Sequence, residues 1–275
     1  MAALPKLAGQ VAVITGGSQG IGRGIALALG DAGATVYFTG RNRTALEAVA
    51  AQVAERGGRP VSVVCDHADD SQVNAFFQRV RQEQPGLDLL VNNVWGGYEA
   101  HPQGLGMSSF WEAGLEDWDA MFVRGLRPAF VASRLAVPLM LARKRGLIVN
   151  TVAWDRGKYL LHLYYDVVKH AMARMAYGMA LELKSHGVAV VALAPGFVRT
   201  ERVMAAHAAH PFDLSITESP EYIGRAVVHL LADPALMNRT GQMLTAGQLA
   251  RDYGFADTDG RQPPPFEMPA KMLRD

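Results

Sequence analysis

The chain of 275 residues is 49% hydrophobic and 19% charged, long and apolar enough to bury the core of one large α/β domain. Its formal net charge of +1 leaves no electrostatic case for nucleic acid or an anionic membrane as partner. The single cysteine, Cys65, precludes an internal disulfide and favours a reducing cytoplasm; no stretch approaches the ~20 apolar residues of a membrane span, and the N-terminus lacks the apolar core of a secretion signal.

Strand-like runs at 11–15, 35–39, 61–65, 88–92, 146–151, 188–193 and 241–244 alternate with amphipathic segments, which predicts a Rossmann-type, doubly wound parallel sheet flanked by helices. The expected layout is a single domain over 1–250 and a polar tail over 251–275, packed on that domain or on a neighbouring subunit, with Pro263-Pro264-Pro265 as an extended surface arm. The first run enters Gly16-Gly17-Ser18-Gln19-Gly20-Ile21-Gly22, and a helical pattern from Ile21 to Leu29 follows at once. Strand, glycine turn and helix in that order make a phosphate cradle, because glycines let backbone N–H groups approach a pyrophosphate at the positive end of the helix. The second run ends in Gly40-Arg41. An acid there would bond a ribose 2′-hydroxyl and repel a 2′-phosphate, whereas the Arg41 guanidinium suits a phosphate in charge and fork geometry, so NADPH is favoured. The bland alternative makes Arg41 a solvated start to the next loop. Open α/β sheets bind ligands beyond the carboxyl ends of their strands, so Gly16, Asn93, Thr151 and Pro195 should converge on one cleft.

Tyr165 and Lys169 stand four residues apart and therefore share one helix face. A free tyrosine has a pKa near ~10 and works as an acid or base at neutral pH only where a cation stabilises its phenolate. Lys169 is placed to be that cation; Tyr164 has Val168 at the same offset.

Thr15 to Gly22, Asn92-Asn93, Tyr165 with Lys169, and Pro195 to Thr200 follow the order and approximate spacing of a known fingerprint: Thr-Gly-x-x-x-Gly-x-Gly, Asn-Asn-Ala-Gly, Ser, Tyr-x-x-x-Lys and Pro-Gly. Over nearly its whole length the chain resembles the short-chain dehydrogenase/reductase family. Phe110-Trp111-Glu112, the stretch from Leu249 to Phe255, and Asp259-Gly260-Arg261 resemble the branch that contains the mammalian dehydrogenase/reductase family member one. The resemblance implies that Gly16, Ser18, Gln19, Gly20, Ile21 and Gly22 cradle the pyrophosphate of NADP(H), although many NADP-binding relatives carry a basic residue where this chain has Gln19. It implies Asp66 at the adenine, where the alternative is a cap for the helix starting near Asp70. Asn93 and the Val94 backbone fall to the ribose; Tyr165, Lys169, Pro195, Gly196, Val198 and Thr200 fall to the nicotinamide side, with Thr200 holding the carboxamide. For Pro195-Gly196 the alternative is a plain turn. A homodimer or homotetramer is expected through the Tyr165 helix, whose apolar run spans Leu161 to Met179, and the long helix before the fifth strand.

Two departures from the family pattern bear on chemistry. Val152 and Ala153 occupy the places where the family has a serine whose hydroxyl holds the substrate carbonyl, and Gly125 replaces an asparagine that relays protons from the lysine. Losing one such donor costs ~2.7–4 kcal/mol of transition-state stabilisation when the reaction relies on it. Three readings follow. In the first, an NADPH-dependent reductase delivers hydride to a ketone or aldehyde, Tyr165 donates the proton, and Thr151, Asp155 or Tyr159 takes over from the serine, although strand alternation turns Thr151 to the other face. In the second, the electrophile is an imine or iminium stabilised by Asp155. The third is a non-catalytic NADP-binding protein. Trp95, Tyr98, Trp111, Trp154 and Tyr159 imply an apolar or aromatic small-molecule substrate if they line the cleft. Residues 202–220 sit where the family keeps its substrate lid, and His207 and His210 have no third ligand at a metal-site spacing, so no metal is expected.

Overall fold

The computed structural model describes residues 4–99, 109–154, 157–160 and 162–267. Seven parallel strands form the sheet: β1 (Val11–Ile14), β2 (Thr35–Gly40), β3 (Arg59–Val64), β4 (Leu89–Asn92), β5 (Gly146–Thr151), β6 (Val188–Ala194) and β9 (Met243–Thr245), in the spatial order β3-β2-β1-β4-β5-β6-β9. Between them run α1 (Gly20–Asp31), α2 (Arg43–Glu55), α3 (Asp70–Glu83), α4 (Leu115–Met121), α5 (Arg127–Leu141), α6 (Leu163–Leu183), α7 (Glu201–Ala209), α8 (Pro220–Ala232) and α9 (Ala246–Tyr253). The chain steps outward through β2 and β3, then crosses to the far side of β1, where Ile14 pairs with Val91 of β4. That reversal leaves a crevice beyond the carboxyl ends of β1 and β4, the usual ligand site of an open α/β sheet.

Strand residues divide by alternation between two cores. Ala12, Ile14, Leu147, Val149, Val191 and Leu193 pack against α1, α2, α8 and α9. Val11, Val13, Ile148, Val188, Val190 and Ala192 pack against α3, α5 and α6. Side-chain caps open several helices: Asn42 accepts from Ala45 N at 3.0 Å for α2, and Asp69 accepts from Ser71 N at 2.8 Å for α3. Gln19, the residue before α1, is extended and its own side chain does not cap the helix.

The strands expected from sequence all form, with β3 starting at Arg59 and β9 at Met243, each two residues from the expected start. Two features lacked a period to betray them. A short parallel pair, β7 (Phe197–Val198) with β8 (Thr217–Glu218), ties the start of the lid region to α8. A π-helical turn over Phe122–Leu126 interrupts the passage from α4 to α5. At the C-terminus, α9 runs through position 250 and ends at Tyr253, so the expected boundary falls inside a helix. The proline run is not a free arm: Pro263 is buried and its carbonyl accepts from Tyr222 Oη at 2.9 Å, while Phe255 and Asp257 are buried beside α8. No helix among the described residues is long and apolar enough to cross a membrane.

Candidate active site

The glycine turn is fastened to the end of β4 before any ligand arrives. Thr15 Oγ1 accepts from the backbone N–H of Asn93 at 3.0 Å and of Val94 at 3.1 Å, and the Asn93 amide donates to the carbonyls of Thr15 at 3.1 Å and Gly16 at 2.8 Å. Gly16 has φ +73°, and a Cβ there would meet Val94 Cα at 2.9 Å, so both conformation and space demand glycine. A Cβ on Gly22 would meet the Gly16 carbonyl at 2.1 Å. Gly22 therefore supports the turn from behind and is not among the residues that line the cleft. At the start of α1, Gly20 N donates to Glu201 Oε2 of α7 at 2.9 Å. A carboxylate on a free N–H at a helix N-terminus marks a position built for an anion, and the residues fit a dinucleotide pyrophosphate.

The cleft has a volume of about 810 Å³. Gly16, Ser18, Gln19, Gly20 and Ile21 line it at the β1 turn, and Arg41 and Asp66 line it beyond β2 and β3. Asn93, Val94 and Thr151 lie in the middle; Tyr165, Lys169, Pro195, Gly196, Val198 and Thr200 close the other side. Convergence of these strand ends follows from the parallel register, because consecutive strands finish at one edge. Asp66 accepts from Ala68 N at 2.9 Å and closes a tight turn; the cap of α3 is Asp69. Arg41, whose side chain is 61% exposed, pairs with Glu99 at 2.8 Å, and Arg124 meets the same carboxylate at 2.7 Å. Thr200 caps α7, accepting from Val203 N at 3.3 Å. Gly196 N donates at 2.7 Å to Glu218, whose buried carboxyl is pushed up to about 7, chiefly by desolvation.

Helix α6 carries Tyr165 and Lys169 one turn apart into the far end of the cleft. Lys169 is 8% exposed, and its Nζ lies 3.7 Å from the centre of the Trp95 ring and 5.6 Å from that of Tyr165. Burial lowers its pKa to about 7. The Tyr165 ring stacks on that of Tyr98, and its pKa is raised well above the ordinary value, first by burial and then by the neighbouring Tyr98 phenol. The expected lowering by Lys169 is thus absent, because desolvation outweighs a lysine that is itself driven toward neutrality. A tyrosine held protonated is the form in which it serves as an acid.

Gly125 has a local cause. A Cβ there would stand 2.6 Å from Trp95 Cζ3, so the indole fills the space an asparagine side chain would enter. Lys169 is consequently covered by an aromatic face, a favourable partner for a cation. Of the expected serine substitutes, Thr151 donates its hydroxyl proton to Asn92 O at 3.0 Å, Tyr159 does not line the cleft, and Asp155 lies outside the described residues. Val152 is buried in the core, and Ala153 faces the cleft without a polar atom. Of the other expected aromatics, Trp95 and Tyr98 line the cleft, Trp154 packs on His170 with centroids 5.3 Å apart, and Trp111 is at the surface. His207 Nδ1 accepts from Phe212 N, and no cluster of three potential metal ligands occurs among the described residues. Sequence reasoning passed over Glu99, Arg124 and Glu201, and it took Tyr98 only as an apolar liner; the β4 end beside Tyr98 was the available signal, since ligand-binding loops gather there.

A strand–glycine turn–helix cradle and a Tyr165–Lys169 pair at one sheet edge define a nicotinamide-dependent oxidoreductase site, and the chain belongs to the short chain dehydrogenase family, which matches residues 10–210. It is similar to dehydrogenase/reductase SDR family member 1 of Mus musculus, 42% identical over 265 residues that cover 92% of this chain and 84% of that one. The Homo sapiens member 1 is 40% identical over 266 residues, again 92% and 84% of the two chains. Among solved structures, L-sorbose reductase from Gluconobacter frateurii complexed with NADPH and L-sorbose has a TM-score of 0.76 at 25% identity, covering 89% of this chain and 97% of that one.

Proposed function

We propose that this oxidoreductase is an NADP(H)-dependent reductase of ketones or aldehydes on apolar or aromatic small molecules, with Tyr165 as proton donor. The observation that carries the reading is that Tyr165 and Lys169, one helical turn apart on α6, both line the cleft that the glycine turn opens into. When bound, a reduced nicotinamide supplies the hydride that a carbonyl carbon accepts. Tyr165 gives its phenolic proton to the carbonyl oxygen, and Lys169 lies close enough to offset the phenolate charge that remains.

Preference for the 2′-phosphate is supported from two sides. A Cβ at position 40 would fall 2.9 Å from Ser18 Oγ, so an acid there, which would select a free ribose hydroxyl, would have to displace the Ser18 side chain. Arg41 lines the cleft beside Ser18 and already holds a carboxylate, Glu99, in an ion pair. The imine reading needs a carboxylate near Tyr165. The described acids of the cleft are committed elsewhere: Glu99 to Arg41 and Arg124, Glu201 to Gly20, and Asp66 to its own turn. Assembly as a homodimer or homotetramer belongs to the proposal, because Phe130 on α5 and Tyr177 and Leu181 on α6 are exposed apolar side chains. So does a reducing, cytoplasmic setting, since Cys65 is a buried free thiol.

Replacing Tyr165 by Phe should abolish NADPH oxidation against a panel of ketones and aldehydes while leaving NADPH binding within about threefold, the loss of a general acid being worth roughly 10²–10⁴ in rate. Undiminished turnover in that variant would remove Tyr165 from the chemistry and the reading with it.

A further inference from the structure

A carbonyl oxygen that gains negative charge has two lone pairs to satisfy, and Tyr165 supplies one donor. In this cleft the second donor is not where the family keeps it: Val152 and Ala153 have none, and the Thr151 proton is given to Asn92 O. Among the described residues of the cleft, Tyr98 is the one whose phenol ring stacks on that of Tyr165. We propose, on the footing of the reductase reading, that Tyr98 is a catalytic residue that hydrogen-bonds the substrate carbonyl oxygen beside Tyr165 and does the work of the absent serine.

The two phenol rings stack, with centroids 6.1 Å apart and planes inclined by 20°, and both line the cleft, which brings two phenols to the place where a carbonyl oxygen would be reduced. Trp95 sets its edge against each ring, at 5.7 Å from Tyr98 and 5.6 Å from Tyr165, and fixes their spacing. On Tyr98, the Arg202 guanidinium of α7 lies 4.4 Å from the ring centre. Burial keeps the Tyr98 hydroxyl protonated, while the nearby Arg202 charge pulls in the acidic direction and so strengthens it as a donor. A carbonyl oxygen entering between the hydroxyls accepts one bond from each. Tyr165 then releases its proton to that oxygen; Tyr98 keeps its own, and no bond in Tyr98 breaks. Because Arg202 belongs to α7, closure of that helix over substrate would also settle the Tyr98 ring.

The test compares Tyr98→Phe, which keeps the ring and removes only the hydroxyl, with Tyr165→Phe, using whichever carbonyl in the panel the parent reduces. Tyr98→Phe should lower kcat by about 10²–10³-fold, as removal of one oxyanion donor does, with NADPH binding unchanged. Adding Ala153→Ser to Tyr98→Phe should recover at least about tenfold of that loss, since it restores a donor at the family's place. A readout independent of turnover is the ultraviolet titration of tyrosines in the protein without ligands: Tyr98→Phe should shift the Tyr165 ionisation downward, because Tyr98 holds it up. Parental kcat in Tyr98→Phe, or an unmoved Tyr165 titration, overturns the role of Tyr98. Loss of turnover in Tyr165→Phe with parental turnover in Tyr98→Phe defeats this inference alone, whereas parental turnover in both defeats the reductase reading beneath it.

Discussion

The two ends of the cleft are built from different materials. At the β1 turn the working groups are backbone: a glycine at φ +73°, a helix start, and an N–H that already holds a carboxylate. At the α6 end they are side chains from separate stretches of chain, Trp95 and Tyr98 after β4, Gly125 in the π-helical turn, and Tyr165 and Lys169 on the helix. A backbone site tolerates little change, since every atom is fixed by chain geometry. A side-chain site can exchange one donor for another if a neighbour supplies the same bond, and the proposed role of Tyr98 beside Val152 and Ala153, which carry no donor, would be such an exchange.

That contrast predicts where substitutions will and will not be repaired. At the cofactor end, Arg41→Ala should weaken NADPH binding by roughly tenfold to a hundredfold, the range for a charge-assisted contact, and leave NADH nearly untouched. Equal losses for the two cofactors, measured by fluorescence titration, would take the 2′-phosphate away from Arg41. At the other end, Gly125→Asn should destabilise the fold by about 1–3 kcal/mol through overpacking against Trp95. Pairing it with Trp95→Gly should relieve the clash and return much of that loss in a denaturant melt. Independent, additive effects of the two changes would mean that the indole is not what excludes a side chain at 125.

The same contrast explains what could be read before folding. The sheet and its order of elements were legible because buried parallel strands are continuous apolar runs, and the turn from Gly16 into α1 was legible because a glycine turn between strand and helix leaves a spacing along the chain. Gly22 shows what spacing leaves out even there: only the folded turn reveals that it clears room for the Gly16 carbonyl. Tyr98 and Tyr165 are 67 residues apart, and only the folded chain reveals that their rings stack. The direction of the Tyr165 shift was illegible for the same reason. Counting charges along a helix takes Lys169 as a cation, while burial under Trp95 decides how much of that charge survives.

Glu218 sits between the two ends, beneath Gly196, and offers a pH-dependent prediction. Its pKa in the folded chain is about 7, above the ordinary 4.5, because burial penalises its charge. Between those values the folded protein keeps a proton that the unfolded chain has released. Stability from this group therefore falls as pH rises from 4.5 through 7, and the full penalty is present above it. Glu218→Gln retains an acceptor for Gly196 N and removes the charge, so it should be more stable than the parent by roughly 1–3 kcal/mol at pH 8, with the gap closing near pH 5. Thermal melts at the two pH values check this; a gap that widens on acidification would reverse the sign of the burial argument.

The smallest effect belongs to Glu201, and it separates holding from blocking. Its carboxylate occupies the Gly20 N–H, with Arg23 4.0 Å away, so a pyrophosphate arriving at α1 must displace it. A charge at a helix N-terminus is stabilised by about 0.3–1 kcal/mol, and that amount opposes the cofactor. Glu201→Gln should therefore tighten NADPH and NADH alike by roughly twofold to fivefold, most clearly at low ionic strength, where the exposed pair is least screened. Equal gain for both cofactors distinguishes this contact from Arg41, which discriminates between them. If the variant instead binds both more weakly, Glu201 holds α7 in place for the cofactor, and the carboxylate at Gly20 is a latch on the lid.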